Sequence, residues 1–135
     1  MREILFRGKR EDNGELVEGY YAWYGRPGAP FIGFRNSIET MMWCEIDPTT
    51  IGQYTGLTDK NGNRIFEGDI VRLEYTGKNR GVEGLASVIF ENGKFGVRWG
   101  WHKDFVCLDG FANSTIEVIG NVFDNPELLG GDNDG

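Results

Sequence analysis

The chain has 135 residues, of which 39% are hydrophobic and 13% aromatic, and a formal net charge of -7. That length fits one domain, or one domain with a small appendage, and buries roughly two-thirds of the unfolded surface, so neither a disulfide nor a metal is required for folding. No apolar run approaches the ~20 residues of a membrane span, and Met1-Arg2-Glu3-Ile4 begins no export segment, so a cytoplasmic protein without a membrane partner is expected.

The 21 glycines follow no collagen-like period and therefore favour short strands and turns. Ile4-Leu5-Phe6 leads into the turn Glu11-Asp12-Asn13-Gly14 and then a strand from Leu16 to Trp23. Asn-Gly takes positive φ at little cost, so this is a predicted hairpin. Gly25 to Pro30 is a breaker cluster, after which Phe31-Ile32-Gly33-Phe34 resumes the extended pattern. Ser37 to Met42 tolerates a helix, but Trp43-Cys44-Glu45-Ile46 alternates and the region reads as strand. Gln53 to Leu57 and Arg64-Ile65-Phe66 flank the polar turn Asp59-Lys60-Asn61-Gly62-Asn63. Ile70 to Tyr75 alternates like a strand, and Thr76 to Gly84 is a polar loop. The clearest hairpin joins Leu85 to Phe90 with Phe95 to Trp99 through Asn92-Gly93. Phe105 to Leu108 and Ile116 to Val122 are further strands. Asn125 as cap, Pro126 at the first helical position and Gly130 as a stop predict one short helical turn.

These elements describe an all-β protein of short antiparallel strands and hairpins. Residues 1–66 read as an N-terminal β-hairpin region and 67–123 as an SH3-like small barrel, because short strands follow one another closely there. Residues 124–135 read as a short helical turn with a flexible acidic tail, the whole packed as one unit. The acidic excess is local. From Asp104 onward there are seven acids and no Lys or Arg, while the residues before it balance. The broad positive field that phosphate binding needs is therefore absent.

Chemistry-bearing residues are few. Asp59-Lys60-Asn61-Gly62-Asn63 resembles a calcium loop, but the sixth and twelfth positions are Arg64 and Ile70 where Gly and Glu are needed, so a β-turn is expected. His102 is the only histidine, and Cys44 and Cys107 lie far apart, so two reduced thiols are expected and no metal or other cofactor is implied. Glu67 and Asp69 are two apart and would share a face of a regular strand, with Asp59 near across the turn. Such acids can do acid-base work or hold a divalent ion. Asp69 capping turn amides is the plainer reading. Phe95, Val97, Trp99 and Trp101 would share a face, with Arg98 and His102 opposite and Lys103 adjacent. Aromatics beside basic side chains can stack bases or grip a peptide, and core packing explains the same alternation.

Three stretches carry a resemblance to a known family. They are Phe6-Arg7 before a turn and an aromatic strand; Gln53-Tyr54-Thr55-Gly56-Leu57-Thr58-Asp59-Lys60-Asn61-Gly62, continued by Ile65 to Val71; and Ile116-Glu117-Val118-Ile119-Gly120-Asn121-Val122-Phe123-Asp124-Asn125-Pro126-Glu127-Leu128-Leu129. The chain resembles the YopX family of bacteriophage and prophage proteins over almost its whole length. The resemblance implies an all-β protein working in the host cytoplasm and implies no catalytic residue. Gly8-Lys9-Arg10 stands where relatives more often show Ala-Trp-Asp.

The function expected from all this is non-enzymatic binding of a protein partner, or self-association through unclosed strand edges in the first half. Gln53, Tyr54 and Thr55 could present donors and acceptors side by side, or serve structure alone. A nucleic-acid site at Arg98, Trp99 and Trp101 with Lys78 and Arg80 is the weaker alternative, and a small metal-dependent enzyme at Asp59, Glu67 and Asp69 is the third.

Overall fold

The computed structural model describes residues 4–23, 30–35, 37–38, 40–75, 82–99, 103–111 and 113–130. The chain divides into two compact units, Met1–Tyr54 and Thr55–Gly135. The breaker cluster before Pro30, most of the loop from Thr76, Trp101, His102 and the acidic tail lie outside the described residues.

The first unit holds β1 (Phe6–Lys9), β2 (Leu16–Trp23), β3 (Pro30–Arg35), β4 (Met41–Glu45) and the start of β5 (Gly52–Thr58), in the antiparallel order β4-β3-β2-β1-β5. The predicted first hairpin forms because Gly14, at φ +75, lets its amide reach Arg10 O at 2.9 Å. β2 is bent. Leu16 to Gly19 pair with β1, whereas Tyr20 to Trp23 pair with β3. Gly19 sits at that change of partner, where an added Cβ would lie 2.1 Å from Gly33 O. Ile32, Cys44 and Ile46 are buried, and Phe6, Val17, Phe34 and Ile51 pack against them.

The free edges expected of this half are partly covered. Glu11 N donates to Glu45 O and Asp47 N to Lys9 O, both at 2.9 Å, and Arg10 bridges Ile46. Thr50, in the short 3-10 turn Pro48–Thr50, accepts from Lys9 N at 2.9 Å. The ends of β1 and β4 thus satisfy one another, whereas among the described residues β4 pairs along its length only with β3 and is a terminal strand of the sheet.

The second unit continues β5 and adds β6 (Arg64–Phe66), β7 (Asp69–Tyr75), β8 (Val82–Ser87), β9 (Ile89–Glu91), β10 (Lys94–Trp99), β11 (Asp104–Cys107), β12 (Ile116–Asn121) and the helical turn α1 (Glu127–Gly130). It carries two antiparallel three-stranded sheets, β12-β7-β8 and β11-β10-β9. The strand expected from Leu85 to Phe90 is broken at Val88, whose amide and carbonyl bond to Asp69 O at 2.8 Å and Gly68 N at 2.9 Å. The chain therefore leaves one sheet and enters the other at that residue. Val71, Leu73, Ala86 and Ile116 from the first sheet meet Val97 from the second in one core, with Ile65, Val88, Leu108 and Phe111. Among the described residues no sheet closes into a barrel. Cys44 and Cys107 are free thiols, as expected.

Candidate functional site

The motif residues from Gln53 to Asp69 are used mainly on the protein's own backbone. Gln53 pairs with Phe6 in the first unit, and Tyr54 N donates to Leu5 O at 2.9 Å. In the second unit, Thr55 Oγ1 donates to Ile65 O at 2.8 Å and accepts from Leu57 N at 3.1 Å, so one hydroxyl locks β5 to β6. Gly62, at φ +83, closes the expected β-turn with its amide on Asp59 O at 3.0 Å.

Asp59 is 2% exposed and its carboxylate accepts from the amides of Asn61, Asn63 and Val118, each at 2.9 Å. Burial opposes its ionisation, but the amides of Val118, Asn63 and Asn61 outweigh that and hold the carboxyl below its ordinary range. Val118 lies on β12, and Lys60 N donates to Ile116 O on the same strand at 3.0 Å. The turn therefore bonds to main chain of β12, a terminal strand of its sheet that pairs with β7.

Glu67 and Asp69 do not share a strand face as expected. β6 ends at Phe66 and β7 starts at Asp69, and Gly68 at φ +95 turns the chain between them. Asp69 is buried and its Oδ2 accepts from Phe66 N at 2.8 Å. Both aspartates thus accept hydrogen bonds from turn amides. Among the described residues no group of three His, Cys, Asp or Glu side chains could hold a metal ion.

The final motif has an equally local cause. Asn121 Oδ1 accepts from the amides of Phe123 at 3.0 Å and Asp124 at 2.9 Å, while Asn125 Oδ1 accepts from Asn121 N at 3.2 Å. Asn125 was expected to cap the helical turn, but its side chain is taken by Asn121. Gly120 makes room for it, since an added Cβ would lie 2.6 Å from Asn125 Oδ1. Gly120→Ala should therefore displace Asn125 and cost about 1–2 kcal/mol in a urea titration. Unchanged stability would show that the Asn121–Asn125 contact contributes nothing.

Arg98 is exposed but engaged. It pairs with Glu91 at 2.5 Å, donates to Lys103 O at 3.3 Å and lies 5.8 Å from the Phe105 ring centroid. Lys78, Arg80 and Trp101 lie outside the described residues, as does the side chain of Trp99, so the second basic and aromatic partner of the nucleic-acid reading is not placed. A cleft of about 380 Å³ in this unit is lined by Thr55, Leu57, Lys94, Phe95, Cys107, Leu108 and Asp109.

Sequence reasoning did not single out the residues that stand out in the first unit. Tyr20, Gly33 and Trp43 are direct cross-strand partners on β2, β3 and β4 and so share one face. Tyr20 is 57% and Trp43 42% exposed. The indole lies over Gly33, where a Cβ would come within 2.6 Å of the ring. On the opposite face, a groove of about 410 Å³ is lined by Phe6, Tyr21, Trp23, Pro30, Pro48 and Ile51. The signal was in the sequence: Tyr20-Tyr21-Ala22-Trp23 places aromatics on both faces of one strand, and the buried cluster lies on one of those faces.

The fold and these sites define a small all-β protein whose polar motif residues brace its own turns and whose first unit exposes Tyr20, Tyr21, Trp23 and Trp43. The chain belongs to the YopX family. That family's sequence profile, described as YopX protein, matches residues 5–130. A comparison with curated proteins gives no match. Among solved structures, the chain is similar to protein EF1440 from Enterococcus faecalis, with a TM-score of 0.59 and 24% identity over 95% of this chain and 99% of that one. At that identity the likeness shows the fold alone.

Proposed function

We propose that this protein is a non-enzymatic accessory protein of a phage or prophage that works in the host cytoplasm by binding protein. The observation that carries the reading is the exposed aromatic row of Tyr20 and Trp43 across Gly33. Tyr and Trp supply large, rigid contact area, and contiguous exposed apolar side chains are typical of interaction surfaces. Turn-capping at Asp59 and Asp69 speaks against the enzyme reading, and membership of the YopX family supports the phage setting. Gln53, Tyr54 and Thr55 are assigned to bracing β5. The kink at Val88 and the single core supported by both sheets favour reading the second unit as an open relative of the SH3-like barrel.

Self-association through the Tyr20 face is the version to test first. Sedimentation velocity across the micromolar range should give species heavier than the 15.2 kDa chain. Tyr20→Lys should weaken that association roughly 30-fold, as loss of a hot-spot aromatic does. A wild-type protein that stays monomeric throughout removes self-association and leaves a different protein as the partner.

A further inference from the structure

Three Asn-Gly pairs stand at exposed turns: Asn13-Gly14, Asn61-Gly62 and Asn92-Gly93. In each, the glycine amide is the group that could attack the asparagine side chain. Two of the three amides are tied. Gly14 N donates to Arg10 O at 2.9 Å and Gly62 N to Asp59 O at 3.0 Å. Asn13 is held further, with its Oδ1 accepting from Glu15 N at 2.9 Å. Asn61 N is bound to the Asp59 carboxylate at 2.9 Å.

The third pair differs. Asn92 and Gly93 form the two-residue turn between β9 and β10, with Glu91 and Lys94 in register on either side. Among the described residues nothing accepts from Gly93 N, and no hydrogen bond holds the Asn92 side chain. Both residues of the pair are exposed, and an added Cβ at Gly93, as at Gly14 and Gly62, would meet nothing within 4 Å. Asn92 itself sits at φ 53, a left-handed conformation that costs a residue with a Cβ of order 1 kcal/mol. Leaving it relieves that cost, and the turn can rock without breaking a side-chain contact.

We propose that Asn92-Gly93 is a spontaneous modification site at which the hairpin tip converts to aspartate and isoaspartate. The Gly93 amide nitrogen, having lost its proton to hydroxide, attacks Asn92 Cγ. The new C–N bond closes a five-membered succinimide, the Cγ–Nδ2 bond breaks, and ammonia leaves after taking a proton from water. Water then opens the ring at either carbonyl, so no electrons are transferred and water is the only co-reactant. Opening toward isoaspartate routes the main chain through the side-chain carbon and lengthens a two-residue turn by one atom. The Glu91–Lys94 and Phe90–Phe95 pairings, with the two rings 4.8 Å apart, would then no longer match.

The test follows the unmodified chain by peptide mapping and mass spectrometry during incubation at mildly alkaline pH, once in native buffer and once in concentrated urea. In urea the three pairs should convert at similar rates, because only local sequence acts there. In native buffer Asn92 should convert at least roughly tenfold faster than Asn13 or Asn61, about 1.4 kcal/mol in barrier. The proposal is overturned if Asn13 or Asn61 keeps pace with Asn92 in the native protein, or if all three are equally protected.

Discussion

Asp59→Ala will lower the unfolding free energy by about 3–5 kcal/mol in a urea titration at neutral pH. The side chain is almost wholly buried, yet it terminates three main-chain amides, at Asn61, Asn63 and Val118. Alanine leaves those donors without their acceptor. Water can reach Asn61 and Asn63, which are exposed, so the larger share of the loss falls at Val118. Hydrogen exchange should report it, with the Val118 and Lys60 amides becoming labile before the rest of β12. The carboxylate also makes the effect depend on pH. Its folded pKa is depressed, so its contribution is complete above the unfolded value of about 3.9 and is lost as pH falls through the folded value. Asp59→Asn should accordingly run below wild type from neutral pH to about pH 4 and converge with it in stronger acid. Lys60 and Arg72 face Glu117 beside this turn at 3.7 and 2.8 Å, but those pairs are partly exposed and salt weakens them. Curves that stay parallel in high salt would assign the acid sensitivity elsewhere.

The same residue shows how far the sequence could be read. Asp59-Lys60-Asn61-Gly62 announces a turn, and the β-turn is there because Gly62 can hold its positive φ cheaply. Nothing in the sequence says that the carboxylate reaches Val118, 59 positions later. Alternation located most strands in the same local way, and Asn92-Gly93 located the clearest hairpin. It failed where tertiary pairing overrides period two. Glu67 and Asp69 are separated by a turn at Gly68, and the run from Leu85 to Phe90 is divided at Val88 between two sheets. Closure into a barrel is a property of pairings between distant strands, and short apolar runs specify only that pairing occurs. Asn125 is expected to cap a helical turn, and its side chain accepts from Asn121 N instead. The aromatic face was overlooked for a related reason. A tyrosine or tryptophan in a strand suits a core equally well, and only the register of β2, β3 and β4 decides that Tyr20 and Trp43 stay outside.

Gly19→Ala should be the most disruptive small substitution in the first unit, lowering stability by about 3–5 kcal/mol. Gly19 marks the point where β2 stops pairing with β1 and begins to pair with β3. There its backbone runs so near β3 that a Cβ would lie 2.1 Å from Gly33 O and 2.9 Å from Gly33 C. Both atoms are main chain, so no rotamer change relieves the clash and the strands must separate. The separation would fall at the Tyr20–Gly33 pair, the middle of the aromatic row, and would release the indole of Trp43 from its place over Gly33. Gly14→Ala supplies the contrast. Gly14 has φ +75 but open space around it, so the cost there is backbone strain alone, about 1–2 kcal/mol. The two variants compared by urea denaturation and tryptophan fluorescence separate close approach from conformational strain. If Gly19→Ala costs no more than Gly14→Ala, β2 and β3 can part without penalty. The aromatic face would then be a yielding surface rather than a rigid one.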